Sequence, residues 1–396
     1  MKNFFCSLAI LSSIFVFSQD YVDQVFILNE GYFDYTSNQI VEPVTIGVFN
    51  PSSQVYNVID TIQGARFASD LILDQDFLYV AADNMIYKYD KSSYDLLESV
   101  QLDGVRNLAI WKDKVIATRG DYDNITFTPI FFNSYLLIFN KSDLSFYLGL
   151  DTTIGPKWAT QNIIVDGDSA YIAINNAYEW GNYKGIVGIL DLNTYAYVNE
   201  IDLGPDGKNP DNMVKSGDAI YTINNKDWSG SSISKISTLT NNNQTMNLSN
   251  ISTGCGTSCL RNGKINYQMS GDTMIYQWDV ATLSDQGVVS GLNNNFYHLA
   301  YDDINDLLYA SSTDYFSYGD IHIYDQNNVL IYSFSSGVSP GNIVFDVKNT
   351  TSIKDNSVLL EDNISPIYNL LGKRVNNSVD VPGIYIQNSQ KFFMNK

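Results

Sequence analysis

A short hydrophobic phrase recurs seven times between residues 24 and 347, and it constrains the fold of this chain more than any other feature. Each copy is an apolar run that follows a turn rich in Asp, Asn and Gly, as at residues 77–80, 170–173 and 307–310. The copies lie on average about 47 residues apart and are centred on Phe26, Tyr79, Val115, Tyr171, Tyr221, Ile265 and Tyr309. A blade of a β-propeller has four strands and about 40 to 50 residues, so this period predicts a seven-bladed β-propeller.

Each repeat can be divided into four strands, A to D. In the second repeat, strand A lies at residues 71–73, strand B at 77–80, strand C at 85–89 and strand D at 96–100. Polar turns separate these strands, and apolar residues alternate with polar ones in many of the repeats. No stretch has the periodicity of an amphipathic helix. The pattern therefore predicts an all-β propeller domain at residues 20–348.

The two ends of the repeat region complement each other. The first repeat begins directly with a B strand at residues 24–28, and an A-like strand at 341–346 stands alone after the seventh repeat. Together these two fragments supply one complete blade. We therefore expect the ring to close by pairing the first strand of the propeller with its last, which leaves no free sheet edge at the junction.

The N-terminus has the composition of a secretory signal peptide. Lys2 precedes an apolar run at residues 4–17, which is shorter than the roughly 17 to 25 residues of a membrane-spanning helix. Cys6 lies inside this run rather than at its end, where a lipid-modified cysteine would stand. Residues 1–19 are therefore interpreted as a signal peptide, and a soluble, secreted chain without an N-terminal lipid is expected to begin near Asp20.

Removal of the signal peptide leaves two cysteines, Cys255 and Cys259. In an exported protein, a local disulfide that braces this loop is the leading interpretation, and two free thiols are the alternative. A zinc site would need two further ligands nearby, and the sequence offers none.

The connections between strands fall into two sets, which antiparallel strands place on opposite faces of a propeller. The A–B and C–D turns are short and polar, whereas four B–C loops are long, at residues 29–43, 119–133, 175–184 and 311–320. These loops and the D–A connections beside them are rich in aromatic and basic residues, which on a rigid scaffold are typical of a binding surface. The alternative is that the rings pack against one another and seal the loops. The candidate ligand-binding residues are Tyr32, Phe33, Tyr35, Arg66, Phe67, Arg106, Arg119, Tyr122, Trp158, Tyr178, Trp180, Tyr183, Trp228, Tyr297, His298, Tyr315, Phe316 and Tyr318.

Charge and composition argue against several functions. The chain has 23 Lys and Arg against 43 Asp and Glu, a net charge of −20, and such a protein repels the phosphates of nucleic acids. Only two histidines are present, which excludes a histidine-rich metal centre, and neither a nucleophile elbow nor a phosphate-binding loop occurs. We therefore predict a binding protein without catalytic residues, cofactor or metal. A hydrolase or lyase that uses carboxylates such as Asp121 and Glu179 is an alternative.

The sequence pattern of residues 349–396 differs from that of the repeats and predicts a small second β domain. Gly and Pro turns join short strands in Ile367-Tyr-Asn-Leu-Leu-Gly-Lys-Arg-Val375, in Val381-Pro-Gly-Ile-Tyr-Ile386 and in a basic final segment at 391–396. This pattern resembles the C-terminal sorting domain (type A) of the type IX secretion system. The resemblance implies a β-sandwich-like domain that directs export across an outer membrane by the type IX machinery and is then cleaved, often with attachment to surface polysaccharide. The alternative is an ordinary accessory β domain.

The propeller itself resembles the YncE-like propellers of surface nutrient-uptake systems, which include the cobalamin-capturing BtuG-like proteins. The resemblance rests on the opening Val25-Phe-Ile-Leu-Asn-Glu-Gly31, on the repeated strand phrase and on the blade count. It implies capture of a small nutrient at the cell surface, with a corrinoid such as cobalamin as the leading candidate and a TonB-dependent outer-membrane transporter as partner. Those relatives are typically lipidated at the N-terminus, unlike the chain expected here. An adhesion propeller that binds a protein or a glycan is the alternative.

Overall fold

The computed structural model describes residues 20–226, 229–248, 257–269 and 271–349, and the backbone of four short strands after residue 366. The first fifteen strands are β1 (Asp20–Asn29), β2 (Tyr32–Asp34), β3 (Gln39–Glu42), β4 (Val44–Asn50), β5 (Val55–Ile62), β6 (Ala68–Leu73), β7 (Phe77–Ala82), β8 (Met85–Asp90), β9 (Leu96–Gln101), β10 (Val105–Trp111), β11 (Lys114–Arg119), β12 (Asp121–Tyr122), β13 (Pro129–Ile130), β14 (Ser134–Asn140) and β15 (Phe146–Asp151). The next twelve are β16 (Thr160–Asp166), β17 (Ser169–Ile174), β18 (Ile186–Asp191), β19 (Ala196–Asp202), β20 (Pro210–Ser216), β21 (Ala219–Asn224), β22 (Ser232–Ser237), β23 (Asn243–Asn247), β24 (Thr257–Arg261), β25 (Lys264–Gln268), β26 (Met274–Asp279) and β27 (Ser284–Asn293), with one 3₁₀ turn at Pro205–Gly207. The last nine are β28 (His298–Asp302), β29 (Leu307–Ser312), β30 (Tyr318–Tyr324), β31 (Leu330–Val338), β32 (Pro340–Asn349), β33 (Ile367–Asn369), β34 (Arg374–Val375), β35 (Gly383–Gln387) and β36 (Gln390–Met394).

Seven four-stranded sheets between Asp20 and Asn349 form the blades of a propeller. From strand A to strand D, blades 1 to 7 are β32-β1-β4-β5, β6-β7-β8-β9, β10-β11-β14-β15, β16-β17-β18-β19, β20-β21-β22-β23, β24-β25-β26-β27 and β28-β29-β30-β31. The A strands of neighbouring blades contact one another and therefore line the axis of the ring. Each of the seven residues on which the sequence repeats are centred lies in the B strand of a different blade. The predicted all-β, seven-bladed fold is thus confirmed.

Blade 1 contains both ends of the propeller. Its A strand, β32, is the last strand of the ring and is hydrogen-bonded to β1, the first. The amide of Gln24 in β1 donates to Asp346 of β32 (Nε2–Oδ2, 3.2 Å), and Lys348 of β32 is paired with Asp23 of β1. The predicted closure by the two ends of the chain is therefore confirmed, and the junction has the same four-stranded form as the other blades.

The hydrophobic core consists of layers between adjacent blades. In β1, Phe26 and Leu28 pack against blade 2, whereas Val25 and Ile27 pack against blade 7. Successive side chains of a strand point to opposite faces, so a B strand that is covered on both faces must be apolar along its whole length. This requirement explains the continuous hydrophobic runs from which the repeats were recognised.

The C–D turns have a common local structure. In the blade 2 turn, Asp90 Oδ1 accepts hydrogen bonds from the backbone N–H groups of Ser92 (2.8 Å) and Ser93 (2.9 Å), and Tyr94 then has a left-handed φ of +65°. Leu144 occupies the same place in blade 3 with φ +54°, and its side chain is buried between blades 2 and 3. At Leu144, the turn therefore holds a large residue in a strained conformation, and the burial of its side chain in the core offsets that strain.

Two glycines in C strands allow a tyrosine from the neighbouring D strand to lie flat on the sheet. A Cβ atom at Gly47 would overlap the Tyr56 hydroxyl, and one at Gly188 would overlap that of Tyr197. Tyr56 receives a hydrogen bond from Asn29 in return (Nδ2–Oη, 3.0 Å). The absence of a side chain at these glycines is therefore a packing requirement.

The C-terminal strands β33 to β36 form one further antiparallel sheet, in the order β34-β33-β35-β36. They belong to a compact unit other than the one spanning Asp20–Lys348. β33 and β34 lie within the expected segment 367–375, and β35 and β36 overlap the expected segments 381–386 and 391–396. Residues 350–366 and the predicted signal peptide at 1–19 lie outside the described residues, so the expected sandwich stays a prediction. Within the part of the chain that the structure describes, no helix has the length and apolar character needed to span a membrane.

Candidate functional site

The B–C loops and D–A connections define what we call the upper face. Two of its long loops contain hairpins, β2–β3 from blade 1 and β12–β13 from blade 3, whereas the B–C turn of blade 2 is only Asp83 and Asn84. The hairpins contact each other across this short turn. The hydroxyl of Tyr122 donates to that of Tyr35 (2.7 Å), and Asn124 Nδ2 donates to Asn38 Oδ1 (2.7 Å). Side chains from distant parts of the chain thus meet above blade 2.

Tyr122 is the centre of a group of stacked rings. Its ring centroid lies 5.7 Å from that of Tyr178, 6.2 Å from that of Phe127 and 6.4 Å from that of Tyr35, with interplanar angles of 24°, 20° and 26°. The group joins blades 1, 3 and 4. Part of each ring is covered by its neighbour, while Phe127 (56% exposed) and Tyr35 (41% exposed) still present apolar surface to solvent.

Arg66 fastens the β12–β13 hairpin to blade 2. Its guanidinium donates to both carboxylate oxygens of Asp83 (Nη2–Oδ1, 2.5 Å; Nε–Oδ2, 2.9 Å) and to Asp121 Oδ2 (3.3 Å). Burial raises the pKa of Asp121, although the hydrogen bond from the backbone N–H of Tyr122 and the charge of Arg66 both act to lower it. Because it is held by two carboxylates, Arg66 positions the hairpin, and its role as a ligand contact stays a prediction.

Arg106 lies at the upper end of the central channel, as the second residue of the blade 3 A strand. Its guanidinium carbon is 5.5 Å from the ring centroid of Tyr178 and 5.6 Å from that of Phe67, and its Nε donates to Gln161 Oε1 (3.4 Å). The cation is therefore held between two aromatic rings, in the geometry of cation–π contacts. Blades 2, 3 and 4 each contribute one side of this arrangement.

Glu30 begins the B–C loop of blade 1, on the same face as Arg106. It covers Gly341 of the blade 1 A strand, where a Cβ atom would overlap the carboxylate, and it accepts a hydrogen bond from the Tyr297 hydroxyl (Oη–Oε1, 2.9 Å). Burial raises the pKa of Glu30 to about 7, although the hydrogen bond from Tyr297 and the charge of Arg106 both act to lower it. Near neutral pH this group is therefore present both as an acid that can donate and as a carboxylate that accepts.

His298 begins the A strand of blade 7 and completes the opening. Its backbone N–H donates to Ser311 Oγ (3.0 Å), which fixes the strand beside β29. Burial lowers the pKa of the imidazole to about 4, so the ring is neutral at physiological pH. We call the set of Glu30, Phe67, Arg106, Tyr178, Tyr297 and His298 the mouth.

A belt of polar side chains below the mouth was not recognised from the sequence. Asp70 accepts from Asn342 Nδ2 (2.9 Å) and from the backbone N–H of Leu108 (2.7 Å), and so joins the A strands of blades 1, 2 and 3. The signal is visible once the repeats are aligned on the structure, because five A strands have Asn or Asp at one register position: Asp70, Asn107, Asn162, Asn212 and Asn342. The belt supports the channel wall directly beneath the candidate site.

The other candidate residues lie around the mouth or away from it. Tyr315 contacts Tyr297 edge-on (5.4 Å between centroids), and Tyr32 contacts Phe316 (5.1 Å). Phe33 packs edge-on against Tyr35 (4.9 Å). These residues link blades 1 and 7 at the rim of the upper face, so the predicted gathering of aromatic loops is found on this side of the ring.

Five further candidates do not reach the mouth. Arg119 stacks on Phe132 (3.6 Å from guanidinium carbon to centroid), and its Nε donates to the carbonyl of Asp103 (2.5 Å). Trp158 and Tyr183 line a separate groove beside blade 4, and Trp180 contacts Tyr183 edge-on. Tyr318 lines a small cavity between blades 1 and 7. Trp228 lies outside the described residues.

The predicted disulfide is only half described. Cys259 is buried in β24, where desolvation raises the pKa of its thiol to about 12, and Cys255 lies outside the described residues. The pairing therefore stays a prediction. In the described ranges, no three His, Cys, Asp or Glu side chains are arranged to hold a metal ion.

Comparison with known proteins supports the fold alone. No protein-family model and no curated protein matches this chain. Among solved structures, it is similar to the extracellular domain of a one-component system, BT4673, from B. thetaiotaomicron (TM-score 0.53, 10% identity, 89% of this chain) and covers 44% of that chain, less than half its length. It is also similar to a hypothetical selenium-binding protein, ST0059, from Sulfolobus tokodaii (TM-score 0.58, 10% identity), with 83% of this chain and 94% of that one covered.

Proposed function

We propose that this chain is a non-catalytic, extracellular binding protein that captures a small nutrient at the mouth. The observation that carries the proposal is the position of Arg106, which lies within cation–π distance of the rings of Tyr178 and Phe67 and close enough to Glu30 to lower its pKa. Aromatic faces, a cation, an acid that titrates near neutrality and a neutral imidazole surround one opening. Such a site suits a ligand with a broad apolar surface and a polar, uncharged edge.

A corrinoid is the ligand we propose. Its macrocycle is wide and apolar on its faces, and amide side chains surround its edge, where Glu30, Tyr297 and Gln161 offer donors and acceptors. The neutral imidazole of His298 is also of the type that coordinates transition metals. The likeness of Val25-Phe-Ile-Leu-Asn-Glu-Gly31 to YncE-like propellers supports the same ligand class.

The proposed location is the cell surface of a bacterium with an outer membrane. The apolar N-terminal segment and the likeness of residues 349–396 to type IX sorting domains support export, and one solved structure of similar fold is an extracellular domain. A TonB-dependent transporter is the partner that the uptake role implies.

Two carboxylates that could serve a hydrolase or lyase are engaged in loop structure. Asp121 is paired with Arg66, and Glu179 accepts hydrogen bonds from the amides of Asn176 (2.8 Å) and Asn182 (2.7 Å). This arrangement supports binding rather than catalysis.

Titration calorimetry with cyanocobalamin, aquocobalamin and cobinamide tests the proposal. We expect one-to-one binding, weakened about tenfold or more by Arg106→Ala, because that change removes the cation from between the two rings. Arg119→Ala is the matched control, since this arginine also stacks on a ring but lies away from the mouth. Absence of heat with every corrinoid at micromolar protein would refute the ligand assignment. Equal losses in the two variants would refute the assignment of the mouth.

A further inference from the structure

A second, open groove runs along the outer side of blade 4. It consists of two adjoining cavities of about 540 and 560 Å³ that share Glu200. One wall is the connection at residues 153–158, and the other is the D strand β19 with the loop at 204–208. Each cavity has the volume of a typical small-ligand site, and together they form an elongated groove rather than a compact pocket.

Aromatic and aliphatic side chains are distributed along the whole groove. Trp158 and Tyr183 line its upper half, and the exposed indole of Trp180 (76% exposed) lies edge-on to Tyr183 at 6.4 Å. Tyr195 and Tyr197 line the lower half. Tyr183 is largely covered (7% exposed), whereas Trp158, Tyr195 and Tyr197 are partly exposed and offer ring surface in both cavities, as the repeating units of a chain molecule would require.

Charged groups of both signs alternate with these rings. Glu200 and Asp202 are exposed, and Glu200 accepts a hydrogen bond from the Tyr197 hydroxyl (2.8 Å). Lys184 lies over the Trp158 ring (4.7 Å) and donates to Asn182 Oδ1 (2.7 Å). The acids disfavour a phosphate-rich polyanion, and the density of charged groups disfavours a lipid chain.

We propose that this groove binds an oligosaccharide. A sugar ring has an apolar face of C–H groups, which packs on Trp and Tyr, and hydroxyl groups that both donate to carboxylates and accept from ammonium groups. The groove alternates the same features along its length. This inference is independent of the corrinoid proposal, because the groove and the mouth share none of their defining residues.

Affinity electrophoresis of the purified full chain tests the proposal, with gels that contain dextran, mannan, xylan, mixed-linkage β-glucan or polygalacturonate. We expect at least one polysaccharide to retard the protein, and the double variant Glu200→Ala/Asp202→Ala to lower the apparent affinity about fivefold or more. Both side chains are exposed, so this variant keeps the fold. Trp158→Ala is a second variant that removes the largest aromatic platform.

Two controls separate the groove from other surfaces. Glu98→Ala changes an exposed acid on the D strand of blade 2, and Arg106→Ala changes the mouth, so neither is expected to alter the retardation. The proposal is overturned if none of the five polysaccharides retards the protein. It is equally overturned if retardation occurs but the double variant behaves like the two controls.

Discussion

Two glutamates of the upper face differ in protonation because of their surroundings. Glu30 is desolvated at the mouth and receives one hydrogen bond from Tyr297, so its pKa is raised to about 7. The pKa of Glu179 is lowered instead, because the amides of Asn176 and Asn182 both donate to it. The sequence indicates that both residues reach this face. It does not predict which of the two has the raised pKa. The amides that donate to Glu179 and the desolvation of Glu30 both depend on the folded loops.

The raised pKa of Glu30 predicts a specific pH dependence of stability. A carboxyl whose pKa is higher in the folded than in the unfolded chain binds its proton more tightly when folded, so stability falls as pH rises from about 4.5 to about 7. Glu30→Gln keeps the acceptor for Tyr297 and abolishes this titration. We therefore expect the stability of the variant relative to the wild type to increase by about 1 to 2 kcal/mol between pH 5 and pH 8. This is less than the full pKa shift would give, because the Glu30 side chain is partly exposed.

Urea denaturation at several pH values measures this difference. Glu98→Gln, on the exposed surface of β9, is the control for removal of a carboxylate from the surface of the fold. A difference between Glu30→Gln and the wild type that stays constant with pH would show that Glu30 is ionised alike in the folded and unfolded chain.

The sequence identifies candidate residues of the upper face but does not separate those at the mouth from those elsewhere. Tyr35, Phe67, Arg106 and Tyr178 were named from their loops, and the structure brings them together around Tyr122 and the channel. Arg119 was named on the same basis, yet it stacks on Phe132 elsewhere. Residue type and loop membership do not determine the direction of a side chain, so the two arginines were equivalent until the fold was known.

At the scale of strands and turns, local patterns predicted the blades but not the hairpins of the upper face. The B strands are recognisable because burial on both faces demands an unbroken apolar run. The hairpins β2–β3 and β12–β13 contain strands of only two to four residues, and each is supported by the other through the Tyr35–Tyr122 and Asn38–Asn124 contacts. Those pairs are more than eighty residues apart in the chain, so no local pattern reports them.

The buried left-handed residue of a C–D turn leads to an unusual order of mutant stabilities. Leu144 has φ +54° and a fully covered side chain, so Leu144→Ala loses core packing, about 2 to 4 kcal/mol, and retains the strained backbone. Leu144→Gly loses the same packing but relieves the strain. We therefore expect the glycine variant to be more stable than the alanine variant, by about 1 kcal/mol in chemical denaturation.

Leu136 is the matched control, because it is equally buried but lies in the regular strand β14. There the usual order is expected, with the glycine variant less stable than the alanine variant. The same order at Leu144 would contradict the account of these turns.

At the scale of the whole ring, stability depends on the contacts that hold its two ends together. Asp346 is 2% exposed and accepts from Gln24 (3.2 Å) and from Lys91 of blade 2 (2.7 Å). Asp346→Ala leaves the Lys91 ammonium without its carboxylate at a largely buried position, and we expect a loss of about 3 kcal/mol in the free energy of unfolding. The sequence predicted which strands close the ring, since the repeat count left one A and one B strand over, but not this polar contact between them.

Asp206→Ala provides the comparison for this loss. Asp206 is also paired with a lysine, Lys226 (2.7 Å), but its side chain is 49% exposed. Removal of such an exposed pair is expected to cost clearly less stability than Asp346→Ala in the same denaturation experiment. Equal losses in the two variants would show that the contacts of Asp346 at the junction contribute no more to stability than an exposed ion pair does.

The closure of blade 1 also determines the order in which the molecule can be completed during synthesis. Blades 2 to 7 are each built from contiguous sequence, so each has all of its strands as soon as its own segment has left the ribosome. β1 emerges first but waits for β32, and the Gln24–Asp346 bond joins residues 322 positions apart. A nascent or prematurely terminated chain that lacks β32 therefore keeps an unpaired strand edge, and only a chain read through to the end of the propeller removes it.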